Sequence, residues 1–406
     1  MALGLTYQDV MAAAERIRGR VYRSPTNYSL QLSRLTGCSI YCKLDHLQLT
    51  GSFKERGAAN RLLLLSGEER SRGVIAASAG NHALALAYHG QQMGIPVHVV
   101  MPKWAPLVKV SNCRSFGANI EMFGESFDEA RARAVEKCQQ QGLTYVHGFD
   151  DLAVMAGAGT VGVELLEDVP DVDAVVIPVG GGGLIAGCAV AIREMKPGVK
   201  IIAAEAENAP TFAESRRAGK VVRIETKPTL ADGLAIASIG RQCFEVANPL
   251  VDDVVLVNEH AIATAVLHMM EMEKTVVEGA AAAPLAALLD VDRVRSLGLL
   301  GKKVALLVCG GNIDMTVVSR VIERGLAATG RLCRLRCQIS DRPGGLANLT
   351  RLIAETGASI KEVFHDRSFG PDDLALVSVT VLLETRDHSH IQEVERVLGG
   401  AGVLIG

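Results

Sequence analysis

Short apolar runs alternate with helix-length segments along most of this chain, and that alternation constrains the fold more than any single motif. Strand-like runs fall at 39–44, 73–78, 96–101, 119–123, 173–178, 200–205, 253–257 and 303–307. Between them the 3.6-residue periodicity predicts helices at 7–18, 29–36, 83–93, 103–116, 127–141, 159–167, 184–195, 259–274 and 280–289, the last carrying Pro284 as a kink or a late start. Strands joined by helices of ten or more residues require crossover connections, so the sheets are mainly parallel and the fold is α/β.

The rhythm changes after Leu326-Ala327-Ala328-Thr329-Gly330. The tail reads strand 332–340, turn Asp341-Arg342-Pro343-Gly344, helix 346–356, strands 359–365 and 374–383, helix 389–398 and strand 403–405. That order, β-α-β-β-α-β, is the ferredoxin-like split unit. The expected division is a first domain over 1–325 with a smaller lobe at about 45–150 inserted in a larger one, a linker at 326–331 and a second domain over 332–406.

Of the 406 residues, 49% are hydrophobic and 21% charged, with a net charge of −3. That balance, without long basic runs, argues against nucleic acid or an anionic membrane as partner. No apolar stretch approaches the ~20 residues of a membrane span. The first segment carries Asp9 and Glu15 on a helical pattern and reads as neither signal nor transit peptide. Nine cysteines, an odd number without a C-x-x-C pair, indicate a reduced, cytoplasmic protein in which Cys38, Cys42, Cys333 and Cys337 are packing residues. Trp104 and the other aromatic residues are also assigned to packing.

Two stretches point to chemistry. In Thr50-Gly51-Ser52-Phe53-Lys54-Glu55-Arg56-Gly57, Ser52 and Glu55 have capping-box spacing, which would set Lys54 in the first turn of a helix. A helix start and burial both disfavour an ammonium there and favour a neutral amine able to form a Schiff base or take a proton. The spacing alone is equally compatible with an ordinary helix start bearing a surface lysine. The second stretch, Pro178-Val179-Gly180-Gly181-Gly182-Gly183-Leu184, follows an apolar strand and opens a helix, a cradle suited to phosphate.

Two cofactor classes compete for that cradle. Gly181-x-Gly183-x-x-Ala186, with Glu205 closing the next strand, fits a loosened dinucleotide fingerprint for NAD. Pyridoxal phosphate needs in addition a lysine, a partner for the ring nitrogen and a carboxylate site. Lys54, Cys309 in Cys309-Gly310-Gly311-Asn312, and the turn Ser78-Ala79-Gly80-Asn81-His82 are candidates for these. NAD accounts for one stretch and pyridoxal phosphate for four.

Gly51-Ser52-Phe53-Lys54, Ser78 to His82, Gly180 to Gly183, Ala231-Asp232-Gly233 and Gly310-Gly311-Asn312 together resemble the serine/threonine dehydratases (threonine ammonia-lyases) and serine racemases of the tryptophan-synthase-β-like fold. The tail, with Asp341-Arg342-Pro343-Gly344-Gly345-Leu346, resembles an ACT domain. The first resemblance implies that Lys54 is the Schiff-base lysine and α-proton base. Phe53 would lie beside the ring of pyridoxal 5'-phosphate, Asn81 at its 3-hydroxyl, Cys309 at its nitrogen and Gly180 to Gly183 at its phosphate. Gly233 and Glu278 would lie near the cofactor, although Glu278 is equally a candidate helix-cap carboxylate. Ser78, Ala79, Gly80, Asn81 and His82 would receive the substrate carboxylate, His82 as part of the helix start rather than as a base.

The implied reaction is dehydration of L-threonine and L-serine to 2-oxobutyrate or pyruvate and ammonia, with proton help to the β-hydroxyl from the cofactor phosphate. Racemases of this family place a serine after the residue matching Ser78; here Ala79 stands there, which favours elimination. The alternatives are a serine racemase, a hydroxyaspartate dehydratase, or a sensor that binds amino acids without catalysis. Relatives bind a cation at positions matching Glu205, Ala209 and Thr211; Thr211 replaces a carboxylate and shifts the expectation to a monovalent cation or none. The ACT resemblance implies an amino-acid effector near Asp341, Pro343, Gly344 and Leu346, and a homodimer or homotetramer.

Overall fold

The computed structural model describes residues 4–367 and 373–405. The chain divides into two units, Met1–Ile313 and Asp314–Gly406. The first contains two sheets. The larger orders its strands Thr26–Ser29, Ser39–Lys43, Lys303–Leu307, Ala174–Pro178, Lys200–Ala206 and Asp253–Val257. All neighbours are parallel except the first pair, which is antiparallel. The smaller, wholly parallel sheet has the order Asn119–Met122, Val97–Met101, Val74–Ala77, Thr144–Tyr145. In sequence its strands all lie between Ser39–Lys43 and Ala174–Pro178 of the larger sheet. Ala174–Pro178 and Val74–Ala77 are buried along their whole length. Helices cover both faces of such strands, so their sequences are apolar without alternation.

One helix organises this unit. Leu152–Asp168 packs on Lys54–Leu63 on one side and on Gly183–Met195 on the other. Its approach to both is at backbone distance, because glycines line the contacts. A Cβ at Gly157 would lie 2.4 Å from the Arg56 carbonyl oxygen and 2.8 Å from Gly57 Cα. On the opposite side, a Cβ at Gly187 would lie 2.1 Å from the Met155 carbonyl oxygen and 2.9 Å from Gly159 Cα. The helix begins well before the expected residue 159: Asp151 caps it, accepting from the N–H groups of Ala153 at 2.8 Å and Val154 at 3.1 Å. The run Ala156-Gly157-Ala158-Gly159 looks poorly helical in isolation but is stabilised by this packing.

Several local expectations change. Ser52 does not cap the lysine helix; Phe53 occupies that position without a side-chain bond, and Glu55 instead accepts from the Thr50 N–H. Trp104 is 63% exposed, its indole donating to the Glu125 carbonyl at 2.9 Å. Pro284 does not delay its helix, which runs Gly279–Ala286 with the proline in the last turn.

The C-terminal unit opens with helix Met315–Ala328, capped by Asp314 and packed on strand Leu332–Ser340. The composition change at 326–330 therefore marks the end of a helix rather than a linker. The sheet runs Ser359–Asp366, Leu376–Glu384, Leu332–Ser340, Leu404–Ile405, all antiparallel, with helices Gly345–Glu355 and His388–Gly400. Leu335, Cys337, Ile339, Val377, Val379 and Val381 turn inward onto Leu349, Ile353, Val394 and Leu398.

Substituting Gly157→Ala places a methyl group against backbone that has no free rotamer to yield. It is expected to lower stability by about 1–3 kcal/mol, measured as a lower midpoint of urea unfolding, and to reduce turnover by displacing the lysine helix.

Candidate active site

The Lys54 turn is stitched to the end of strand Lys303–Leu307. The Phe53 N–H donates to the Cys309 carbonyl at 3.0 Å, the Gly311 N–H donates to the Gly51 carbonyl at 2.9 Å, and Ser52 bridges to Gly310. Gly51 adopts φ +75°, and the Asn312 side chain fills the space a Cβ would need, so this turn requires glycine. Lys54 is half-buried beside the Phe53 ring, its Nζ 5.1 Å from the ring centroid. Nζ donates to the Gly148 carbonyl at 2.5 Å. Loss of hydration around the amine brings its pKa down to about 8. The hydroxyls of Thr50 and Ser52 are buried without a hydrogen-bond partner.

Asn312 holds the next part together. Its Nδ2 donates to the Thr50 carbonyl at 2.7 Å and to Asn81 Oδ1 at 2.8 Å. That orients the Asn81 amide so that its own Nδ2 donates to both oxygens of Glu278, at 3.0 and 3.1 Å. Glu278 stands at the start of helix Gly279–Ala286 yet makes no side-chain cap bond. It faces Asn81 instead, and burial pushes its pKa up to about 7. A Cβ at Gly310 would lie 2.3 Å from its Oε1, and one at Gly233 3.5 Å from the same atom. Gly233 also borders the four-glycine loop, its carbonyl 3.0 Å from where a Gly180 Cβ would stand. Burial holds the Cys309 thiol protonated, well above its ordinary pKa.

The loop Gly180 to Gly183 leads into helix Gly183–Met195, with Gly182 at φ +91°. Phe149 walls it: a Cβ at Gly181 would lie 2.3 Å from the Phe149 ring, and one at Gly183 3.0 Å from its carbonyl oxygen. Among the described residues, the N–H groups of Gly180, Gly181, Gly182 and Gly183 donate to no protein acceptor. The turn Ser78 to His82 leads likewise into helix Asn81–Met93; Ser78 Oγ accepts from the Gly80 N–H at 3.2 Å. His82 Nε2 contacts the Val146 carbonyl at 3.1 Å, and burial lowers its pKa to about 3, so the ring is neutral.

These residues fit pyridoxal phosphate. Unpaired amides at a helix start suit a phosphate, a buried amine of lowered pKa suits a Schiff base, and a neutral thiol suits an aromatic nitrogen. NAD fits less well, because Glu205 is not available to a ribose. Its carboxylate accepts from the N–H groups of Phe212 at 2.7 Å and Ala213 at 2.8 Å, and from Thr211 Oγ1 at 3.3 Å. It thus closes the start of helix Thr211–Ala218. Among the described residues, no cluster of three or more His, Cys, Asp or Glu side chains is placed to hold a metal.

Two contributors carry no sequence signal strong enough to find them, and the partners of a third cannot be read from its motif. Gly148 and Phe149 follow a two-residue strand, Thr144–Tyr145, too short to read. Asn312 belongs to a recognised motif, but its role depends on contacts with Thr50 and Asn81, which are distant in sequence. Asp232 pairs with Lys109 of helix Leu107–Ser115 at 2.9 Å, and Arg223 pairs with Asp128. Both pairs clasp the elements around the smaller sheet to loops of the larger one.

The profile of the family described as pyridoxal-phosphate dependent enzyme matches residues 17–310. An L-threonine ammonia-lyase of Thermotoga maritima is 45% identical over 398 residues, covering 98% of each chain. A serine racemase structure from maize superposes with TM-score 0.75 at 34% identity, covering 80% of this chain and 98% of its own. The processed form of threonine deaminase isoform 2 from Solanum lycopersicum superposes with TM-score 0.73 at 34% identity, covering 78% and 86%.

In the variant Asn312→Asp, two acceptors replace the donor facing Thr50 O and Asn81 Oδ1. Pyridoxal phosphate is expected to bind about tenfold or more weakly, from the cost of unsatisfied buried groups, as measured by its absorbance on titration into apoprotein.

Proposed function

The chain belongs to the pyridoxal-phosphate-dependent enzyme family, and from that premise we propose that it removes water from L-threonine, and from L-serine, leaving ammonia with 2-oxobutyrate or pyruvate. Lys54 would hold the cofactor until the substrate amine displaces it, and the cofactor would then supply an electron-withdrawing ring that acidifies the α-proton of the amino acid joined to it. Lys54 Nζ takes that proton, since its pKa of about 8 leaves part of the population neutral near neutral pH. The amides of Gly180 to Gly183 hold the phosphate and Phe53 flanks the ring. Asn81, oriented by Asn312 and Glu278, meets the ring hydroxyl. Cys309 offers its nitrogen a protonated thiol, and Gly233 brings backbone alongside. The turn of Ser78, Ala79, Gly80, Asn81 and His82 receives the substrate carboxylate, shielding it from water at a helix start.

The single observation that carries elimination is Ala79. Racemisation requires a second base on the far side of the substrate, and a methyl side chain cannot hold or move a proton. Serine racemisation is the second reading, favoured by the likeness to a serine racemase structure; hydroxyaspartate dehydration is a variant of the first. A sensor without catalysis is disfavoured by the retention of Lys54 together with residues suited to each part of the cofactor.

The C-terminal unit is read as an ACT module. The turn from Asp341 through Pro343 to Leu346 opens helix Gly345–Glu355 through Gly344 at φ +95°, a shape suited to an amino-acid carboxylate. Asp341 accepts from Arg367 Nε at 2.9 Å and steadies the turn. Strand Ser359–Asp366 lies at the sheet edge, open to pairing in a homodimer or homotetramer. Nine unpaired thiols suit a cytoplasmic setting, and no described helix is long and apolar enough to cross a membrane. A monovalent cation near Glu205 and Ala209 would have to rely on backbone carbonyls, because Glu205 already serves three protein donors.

Assayed with L-threonine, L-serine, D-serine and 3-hydroxyaspartate, the purified enzyme is expected to release 2-oxo acid fastest from L-threonine or L-serine. Lys54→Ala should abolish both turnover and the absorbance band near ~410 nm. Faster interconversion of L- and D-serine than ammonia release would sink the elimination reading. Removing residues 314–406 is expected to reduce oligomer size, by light scattering, and to abolish any response to amino-acid effectors while turnover persists.

A further inference from the structure

We propose that the outer face of the C-terminal sheet holds a small phosphate dianion, inorganic phosphate or a phosphate monoester, between Arg334 and Arg336. Strand Leu332–Ser340 alternates strictly here: Leu335 and Cys337 are buried, while Arg334 and Arg336 are exposed on the opposite face. Their Cα atoms stand about 7 Å apart by the rise of a strand, a spacing that lets two guanidinium groups converge on one tetrahedral anion. Arg336 lies opposite Thr380, and Thr380 in turn lies opposite Phe364 on the edge strand. These four side chains line a cavity of about 550 Å³.

Two features give this cavity a charge preference. Arg351, Arg367 and Arg386 in the same unit each pair with a carboxylate, those of Glu355, Asp341 and Glu393. Among the described residues, Arg334 and Arg336 have no such partner. Like charges side by side on a sheet face repel, and a shared anion removes that repulsion while accepting charge-assisted bonds from both forks. The lining also contains no carboxylate. The nearest in the strand register is Glu384, which pairs with Leu332 on the same face two residues from the partner of Arg334; Glu362 lies one strand further out, beyond Leu382, and neither lines the cavity.

A zwitterionic amino acid would therefore set its ammonium beside two cations in a lining without a carboxylate, whereas a dianion matches both arginines. Thr380 supplies a hydroxyl donor. Phe364, 59% exposed, offers an apolar face to whatever the phosphate is attached to. The volume exceeds that of a bare phosphate, leaving room for a small esterified group. This site is separate from the turn at Asp341 to Leu346 and does not depend on the reaction assigned to the first unit.

The test uses full-length protein saturated with pyridoxal phosphate, so that the glycine cradle of the first unit is filled, and measures inorganic phosphate binding by equilibrium dialysis. Wild type is expected to bind saturably and more weakly as salt rises. The double variant Arg334→Gln/Arg336→Gln should bind at least about tenfold more weakly, consistent with loss of charge-assisted bonds. Thr380→Val should weaken binding to a smaller extent, and both variants should keep the wild-type thermal midpoint when phosphate is absent. No saturable binding by wild type, or equal binding by the double variant, overturns the proposal. So does displacement by L-threonine or malonate as effective as by a phosphate monoester, which would assign the cavity to amino acids or dicarboxylates.

Discussion

Contact at backbone distance along helix Leu152–Asp168 is the constraint on which the rest of the first unit depends. Gly157 meets the lysine helix at Arg56 and Gly57, and Gly159 meets Gly187 of the helix that begins at the four-glycine loop. The helices that begin at Lys54 and at the four-glycine loop thus stand on either side of one helix, at a separation that side chains do not buffer. Close-packed interiors transmit displacement rather than absorb it. A buried ionic network reinforces the same junction: Arg56 donates to Asp45, Thr160 and Glu164, and Lys43 pairs with Glu164 at 2.8 Å. Such a network is weak evidence for net stability, but removing one member leaves a buried charge uncompensated.

Around the amine, burial shifts each titrating group toward its neutral form. It lowers Lys54 and His82, and raises Glu278 and Cys309. The site presents few fixed charges of its own, and adds to them the unpaired amide dipoles at the start of helix Gly183–Met195. A charged, phosphate-bearing guest and a zwitterionic substrate then meet preoriented dipoles rather than competing ions, the arrangement in which electrostatic stabilisation is strongest. Asn312, Asn81 and Glu278 form the hydrogen-bonded line that gives this neutral environment a fixed geometry.

The C-terminal unit obeys a different logic. Its antiparallel sheet buries one face on helices Gly345–Glu355 and His388–Gly400 and keeps Arg334 and Arg336 exposed on the other, so inward and outward residues alternate along strands Leu332–Ser340 and Leu376–Glu384. That period of two makes its topology readable in advance, and it places paired arginines on that other face. In the first unit the strands are buried on both sides and show no alternation; there the order of elements carries the information instead.

By itself, the sequence determined the parallel α/β class, the β-α-β-β-α-β tail, the turn carrying Lys54 and the loop Gly180 to Gly183. Each of these rests on local periodicity, or on glycines whose backbone freedom a turn requires. Tertiary structure alone decided that Ser52 caps nothing, that Glu205 closes a helix rather than serving a ribose, and that Glu278 faces Asn81. It also decided that residues 326–328 end a helix belonging to the C-terminal unit. A side chain's partner depends on segments far away in sequence, such as Asn312 on Thr50 and Asn81. Local pattern specifies which backbone conformations are allowed, whereas only packing specifies which distant groups meet.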